Sequence, residues 1–291
     1  MQKPLGQYTR YFAPNGIDEK HIILTTLFLH GWHPEYLNSV VHGGWSIAVE
    51  MTFYLIFPII TFFIRGWVSA LTALVLANVL ADKALQFFWL KRLVFWPGIS
   101  DDLISTFLNF WFLNQLPVFV VGFLVFFAIR DAKGILPVWS VRLLLIGSIF
   151  AIIGLAFYQN TVRILGLTIS VYASYGLCFG LFTFCLADGA TKFLVNSPIC
   201  YLGKVSFSAY IWHLSVLSFL NLSAKAGVDP FDLKTSTHGF AFLCWFFPFL
   251  VLVTSFLSTI TYRLVEQPMI SLGNELLKKL DNRGRTAPVA R

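Results

Sequence analysis

The sequence predicts an all-α fold, a polytopic bundle of about seven transmembrane helices, and three observations carry that prediction. Of 291 residues, 57% are hydrophobic and only 12% are charged, about half the charged fraction of an ordinary soluble domain. The mean hydropathy is +0.73. The apolar residues also fall in unbroken runs of about 20, the length at which a helix crosses about 30 Å of hydrocarbon. A chain this apolar cannot cover a globular surface with polar groups, which excludes a soluble protein and a disordered one. A transmembrane barrel needs segments of about 10 residues that alternate apolar and polar. These runs do not alternate.

The opening stretch MQKPLGQYTRYFAPNGIDEK is polar and punctuated by Pro and Gly; it holds neither a signal-peptide core nor a span. The apolar run 22–29 is too short to cross alone. Spans are expected at 46–64, 67–82 (short and weak), 104–129, 138–158, 164–187, 205–222 and 239–263. Arg65-Gly66, Lys91-Arg92, Arg130 to Gly134, Lys192, Gly203-Lys204 and Arg263 punctuate them. Lys278, Lys279, Arg283 and Arg285 make the tail 271–291 basic, which places it in the cytoplasm. Seven spans back from there, residues 1–45 form an extracytoplasmic segment and 46–270 the membrane domain. Lys83, Lys91, Arg92, Arg163, Lys225 and Lys234 then fall outside, so the bias is modest. The net charge of +7 is explained by the same bias. No loop joins a long basic run to aromatics, so no nucleic-acid partner is expected. Cys178, Cys185, Cys200 and Cys244 form no C-x-x-C pair and read as small buried hydrophobes rather than a disulfide frame or metal site.

Ionisable groups inside the spans are the informative ones. A charge at a helix centre costs on the order of 3 kcal/mol on insertion scales, so a partner or a cavity normally holds it there. Glu50 lies in WSIAVEMTFYLIFP, and Ser46, Glu50 and Tyr54, spaced four apart, share one helix face. That stripe is either an interhelical hydrogen-bond staple or the wall of a reaction or transport cavity. His213 lies in SFSAYIWHLSVL with Ser206 and Tyr210 on its face; a packing role and a chemical role are both open. Glu266, one turn beyond Tyr262 and near Arg263, is expected to pair with a basic group. Asn109, Asn114 and Gln115 precede Pro117; they either hydrate a cavity or satisfy backbone groups that the proline frees. His30, His33, Glu35 and His42 cluster before the first span, but Gly31 and Pro34 break the helical register of a paired zinc site. No metal is expected, and a loop at a cavity mouth is the preferred reading.

At these residues the chain resembles the acyltransferase-3 family of integral membrane acyltransferases. GGWSIAVEMTFYLIFP at 43–58 is similar to that family's W-S-L-x-x-E-x-x-F-Y-x-x-x-P element through Trp45, Ser46, Glu50, Phe53, Tyr54 and Pro58, with Ile47 in the Leu position. CYLGKVSFSAYIWHLSVL at 200–217 resembles G-x-x-S-Y-x-x-Y-x-x-H through Gly203, Ser206, Tyr210 and His213, with Phe207 replacing Tyr. YRLVEQP at 262–268 resembles the closing Y-x-x-x-E-x-P through Tyr262, Glu266 and Pro268. LPVFVVGFLVFF at 116–127 is a weaker echo. The likeness covers about 40–270. Members of the family usually have about ten spans, the first carrying an Arg and, ten residues later, a His taken as catalytic base. Arg10 and His21 reproduce that spacing, but the intervening YFAPNGIDEK cannot span a membrane. The seven spans are therefore expected to be the last seven of the ten.

The resemblance implies transfer of an acyl group, usually acetyl, from cytoplasmic acyl-CoA to a hydroxyl of a cell-surface glycan or similar acceptor, in a bacterial-type inner membrane. It implies acetyl-CoA or another acyl-CoA as co-substrate. Donor and acceptor arriving from opposite sides require a polar path through the bundle, and a closed site limits thioester hydrolysis. A hydroxyl needs a base to take its proton during attack, a task suited to His. Glu50 is expected to orient or charge-stabilise such a His, and His213, with Tyr210 and Ser206, to bind acceptor hydroxyls or the developing oxyanion. Trp45, Ser46, Tyr54 and Glu266 are expected to line the substrate path. A shortened, inactive relative that still binds ligand, and a small-molecule transporter, are the competing expectations.

Overall fold

The computed structural model describes residues 12–41, 43–157, 162–164, 167–189, 194–225 and 239–286. Arg10, His42, Lys192, Lys234 and the two chain ends lie outside the described residues. The chain forms two compact units, residues 1–195 and residues 196–291, each taken by itself below. Helices dominate both, as the sequence predicts. Among the described residues, Trp45–Phe63, Trp67–Leu90, Asp101–Ala132, Val138–Phe157 and Cys244–Lys279 are long and apolar enough to cross a membrane, and Val171–Ala187 and Ser206–Leu220 are shorter apolar helices.

The first unit begins with α1 (Glu19–Thr26), whose start is fixed by Asp18: its carboxylate accepts the His21 backbone N–H at 3.1 Å. A single 3-10 turn, His30–Trp32, leads to α2 (Trp45–Phe63). Then α3 (Trp67–Leu90) starts where the Ser69 hydroxyl accepts the Gly66 N–H at 3.1 Å, and it runs eight residues beyond its expected end. A one-turn helix α4 (Arg92–Phe95) leads into α5 (Asp101–Phe110), capped by Ser100 and carrying Asp101 and Asp102 in its first turn, the favourable end of the helix dipole for carboxylates. The expected span 104–129 lies within the apolar stretch Asp101–Ala132, but its helix is not continuous: it breaks at Trp111, whose ψ of 150° is extended, and resumes as α6 (Phe112–Ala132). After α7 (Val138–Phe157) the expected span 164–187 is shortened too. Its first residues form an antiparallel hairpin, β1 (Val162–Ile164) with β2 (Leu167–Ile169), Val162 opposite Ile169, and only α8 (Val171–Ala187) is helical, capped by the Ser170 hydroxyl.

The central helix of this unit is α6, packed by α2, α3 and α8, while α7 covers the other side of α8. Close approach of α8 to α6 requires Gly180, while Gly176, one turn earlier, faces Val118 at an ordinary contact distance. A Cβ on Gly180 would lie 2.9 Å from Val125 Cγ2 and 3.0 Å from Val121 Cγ1, so the small-xxx-small spacing lets the two backbones meet. Gly134, with φ +76°, ends the turn after α6, and its N–H donates to Asp188 Oδ1 at 2.6 Å, tying the ends of α6 and α8 together. The buried core joins Leu37, Val49, Phe53, Trp96, Ile104 and Phe107 with Trp111 and Phe112 at the helix break.

In the second unit, α9 (Ser197–Lys204) is capped by Asn196 and has Pro198 in its first turn. It runs through Val205 into α10 (Ser206–Lys225), which packs on α11 (Gly239–Thr261). The chain does not stop at 263. A π-helical turn, Tyr262–Glu266, carries it directly into α12 (Gln267–Thr286), so most of the basic segment taken as a tail is a helix.

Candidate functional site

In the first unit the polar stripe sits at the start of α2, where the N-terminal loop packs. His30 is buried, and its Nε2 donates to the Gly44 carbonyl at 3.0 Å. A Cβ on Gly31 would lie 2.8 Å from Ala48 Cβ, so only glycine admits the loop at that distance. Buried Asn38 accepts the Trp45 N–H at 3.3 Å, and the Trp45 ring stacks on Phe110 at 4.5 Å. The Ser46 hydroxyl donates to the Gly43 carbonyl at 3.4 Å. Glu50, one turn on, is half-buried. Asp82, Asp101 and Asp131 each hold a cation or donor within 3.5 Å. Glu50 has no hydrogen-bond or ion-pair partner among the described residues. Tyr54 shares its face but is 60% exposed, so the stripe opens outward along the helix.

His21 in α1 bonds the Asp18 carboxylate through Nδ1 at 2.5 Å, and rings hold it and the loop residue His33 as well. His21 meets Tyr36 edge-on at 4.7 Å, and His33 lies against the same ring at 4.8 Å. Burial holds the His33 imidazole below its ordinary pKa, against the opposing attraction of Glu35, so the neutral form is favoured. Trp32 stands edge-on to Trp111 at 6.1 Å, which seats the loop on the helix break. Among the described residues no three His, Cys, Asp or Glu side chains gather as a metal site. His42, the fourth member of the predicted cluster, lies outside those residues.

The amides ahead of Pro117 have a structural job at that break. Asn114 Nδ2 and Gln115 Nε2 both donate to the Asn109 carbonyl, at 2.8 and 3.1 Å, satisfying a backbone acceptor that the end of α5 would leave open. Asn109 Nδ2 in turn donates to the Tyr172 hydroxyl at 2.8 Å. Asn109 and Asn114 also border a pocket of about 480 Å³ with Ser105, Thr106, Trp89 and Phe110. The expected satisfaction of backbone groups holds, except that the groups belong to the Trp111 break and not to the proline. Sequence reading missed Tyr172 as the partner, and no local signal announces a contact 63 residues away.

In the second unit a row of side-chain bonds joins α9 and α10 to α11 and the π turn. Tyr201 donates to Thr259 Oγ1 at 3.0 Å, and Trp212 Nε1 to Thr261 Oγ1 at 2.7 Å. Lys204 Nζ lies 5.4 Å from the Tyr262 ring centroid. The fully buried Ser208 hydroxyl donates to Glu266 Oε1. Glu266 therefore pairs with a hydroxyl and not with the basic neighbour expected of it. Ser208 itself escaped sequence reading, because a serine two positions from Ser206 and Tyr210, off the predicted face, carries no signal by itself. His213 Nδ1 lies 2.5 Å from the Tyr210 carbonyl, and the two rings stand 5.3 Å apart. A carbonyl can only accept, so Nδ1 carries the hydrogen and neutral His213 presents its lone pair at Nε2. Ser206, the first residue of α10, is exposed.

Comparison of the chain with protein-family models, with curated proteins and with solved structures returns no match.

Proposed function

We propose that this membrane protein is an O-acyltransferase that moves an acyl group, usually acetyl, from acyl-CoA to a hydroxyl of a cell-surface glycan or similar acceptor. The observation that carries the reading is the imidazole of His213. With Nδ1 donating to the Tyr210 carbonyl, the ring is oriented and its Nε2 can only accept, the arrangement a general base needs. The acceptor hydroxyl gives its proton to Nε2 as its oxygen attacks the thioester carbonyl carbon. The C–S bond then breaks, and the imidazolium returns the proton to the departing thiolate, leaving an ester and a free thiol. Support also comes from Glu50, a carboxylate with no partner among the described residues within an otherwise apolar helix, and from the likeness of 43–58, 200–217 and 262–268 to acyltransferase-3 elements. Its role is to hold the acceptor by hydrogen bonds or to stabilise positive charge on a histidine. In this proposal Trp45, Ser46 and Tyr54 of the first unit bind substrate, as do Ser206 and Tyr210 of the second. The protein works in a bacterial-type inner membrane with its C-terminus in the cytoplasm.

The test is transfer of radiolabel from acetyl-CoA to a glycan by the purified protein in liposomes. His213→Ala is expected to lower turnover about 100-fold or more, the usual contribution of a positioned general base, and Glu50→Gln to abolish transfer with expression intact. Full activity in His213→Ala would return that residue to packing and remove the proposal's support.

A further inference from the structure

The flank of the first unit carries a groove that the transferase reading does not use. Between α2 and α6, Phe53 stacks on Phe119 at 4.2 Å and Phe57 on Phe123 at 5.8 Å. Beside these pairs lies a cavity of about 720 Å³ lined by Val118 and Phe126 as well, with Gly122 in its wall. A Cβ on Gly122 would meet nothing within 4 Å. Thr61 is the one hydroxyl in the lining, and it already donates to the Pro58 carbonyl at 2.8 Å. The wall therefore offers an occupant hydrocarbon contact and almost no hydrogen bonding.

One end is different. Arg65 and Arg130 both line it. Asp131 neutralises Arg130 through bonds of 2.5 and 2.8 Å, and Trp67 Nε1 reaches the same carboxylate at 3.0 Å. Arg65 has no carboxylate partner among the described residues. Its Nε donates to the Phe62 carbonyl at 2.9 Å, and its guanidinium lies 4.7 Å from the Phe62 ring centroid. Two cations against one anion leave the rim with one positive charge. Arginine and tryptophan together at helix ends mark the water–lipid boundary. From Phe53 to Phe63 at the end of α2, two residues before Arg65, is ten residues or about 15 Å of helix, and from Val118 to Arg130 on α6 is twelve or about 18 Å. Half of a hydrocarbon core of about 30 Å is close to that depth.

We propose that this groove is a binding site for an anionic phospholipid, one acyl chain lying along the phenylalanines and the phosphodiester resting on Arg65. Its length matches one leaflet, its wall matches a hydrocarbon tail, and its single excess charge sits where a headgroup lies. The inference stands apart from the transferase reading. Native mass spectrometry of the full chain, released from micelles holding equal amounts of phosphatidylglycerol and phosphatidylcholine, tests it. The first bound lipid is expected to favour phosphatidylglycerol about fivefold, the effect of about one basic residue at an anionic surface. Arg65→Gln is expected to bring that ratio to about one, and Asp131→Asn, which leaves Arg130 uncompensated, to raise it. Gly122→Leu, whose side chain enters the groove, is expected to lower retention of both lipids. Equal retention in the unaltered protein, or a preference surviving in Arg65→Gln, would overturn the proposal. Displacement of the bound phosphatidylglycerol by added palmitoyl-CoA would instead assign the groove to a thioester.

Discussion

Replacing Gly180 by alanine tests the packing that holds α8 on α6. The new Cβ would stand 2.9 Å from Val125 Cγ2 and 3.0 Å from Val121 Cγ1, where ordinary contacts begin at 3.4 Å. Both neighbours are methyls of β-branched residues, whose χ1 is nearly fixed in a helix, so α6 or α8 must move by a few tenths of an ångström. Overpacking of this kind costs about 1–3 kcal/mol, offset by about 1 kcal/mol of helix propensity gained over glycine. The net expectation is a loss of about 1 kcal/mol, about a fivefold change in the folded population. Gly176 is the internal control. Its Cβ would meet Val118 at 3.4 Å, an ordinary contact, so Gly176→Ala should keep the propensity gain without the clash. Reversible unfolding in mixed micelles, followed by tryptophan fluorescence, should separate the two variants by about 2 kcal/mol, the cost of the clash alone, because both gain the same helix propensity. Val125→Ala should restore part of the stability of Gly180→Ala. Equal stability of the two glycine variants would refute the close-approach argument.

Two further outcomes follow from the polar groups. His33 is held below its ordinary pKa by burial, so the unfolded loop binds the proton more readily; the loop's stability is fully present above the unfolded value near 6.5 and is lost as pH falls through the folded value. Protection of the amides in residues 30–41, taken relative to their intrinsic exchange at each pH, should therefore fall as pH drops below about 6.5, and His33→Gln should flatten that dependence. For the Ser208–Glu266 bond, a double-mutant cycle of Ser208→Ala and Glu266→Ala should give a coupling of about 1 kcal/mol or more in unfolding free energy, the net worth of a hydrogen bond; no coupling would detach the π turn from α10.

The helical membrane character and the position of most apolar helices are legible in the sequence because bilayer thickness dictates the length of an apolar run, but of the seven spans expected only five helices among the described residues are long and apolar enough to cross, and two are shorter. The break at Trp111 is not legible. Periodicity continues through it, and Pro117, the obvious breaker, sits inside α6 just as Pro58 and Pro248 sit inside α2 and α11. Prolines are tolerated in membrane helices when neighbours satisfy the freed groups, so proline is a poor boundary signal here. The helix ends instead where Asn114 and Gln115 fold back on the Asn109 carbonyl. That closure depends on backbone geometry that single-residue propensities do not encode. Ser46 and Glu50 on one face, and the His213–Tyr210 contact three residues apart, were readable from spacing alone. The Ser208–Glu266 bond joins residues 58 apart and exists only once α10 and the π turn meet.

The same geometry sorts the polar residues of the spans by what holds them. Asn109, Asn114 and Gln115 serve a discontinuity in α5–α6, and Glu266 sits in the π turn and is bonded to Ser208. At such irregularities, polar side chains replace backbone bonds that a regular helix makes by itself, and a structural role accounts for them. Glu50 has no such account. The helix around it is regular from Trp45 to Phe63, so no backbone group there needs its carboxylate. Nothing among the described residues pairs with it, although an unpaired charge in hydrocarbon is costly. The Nε2 of His213 is the counterpart in the second unit: Nδ1 alone orients the ring on the Tyr210 carbonyl, and Nε2 adds nothing to that orientation. Among the sequence-predicted site residues, the Glu50 carboxylate and the His213 Nε2 are thus the polar groups with no structural bond to account for them among the described residues, and the proposed transfer reaction rests on them.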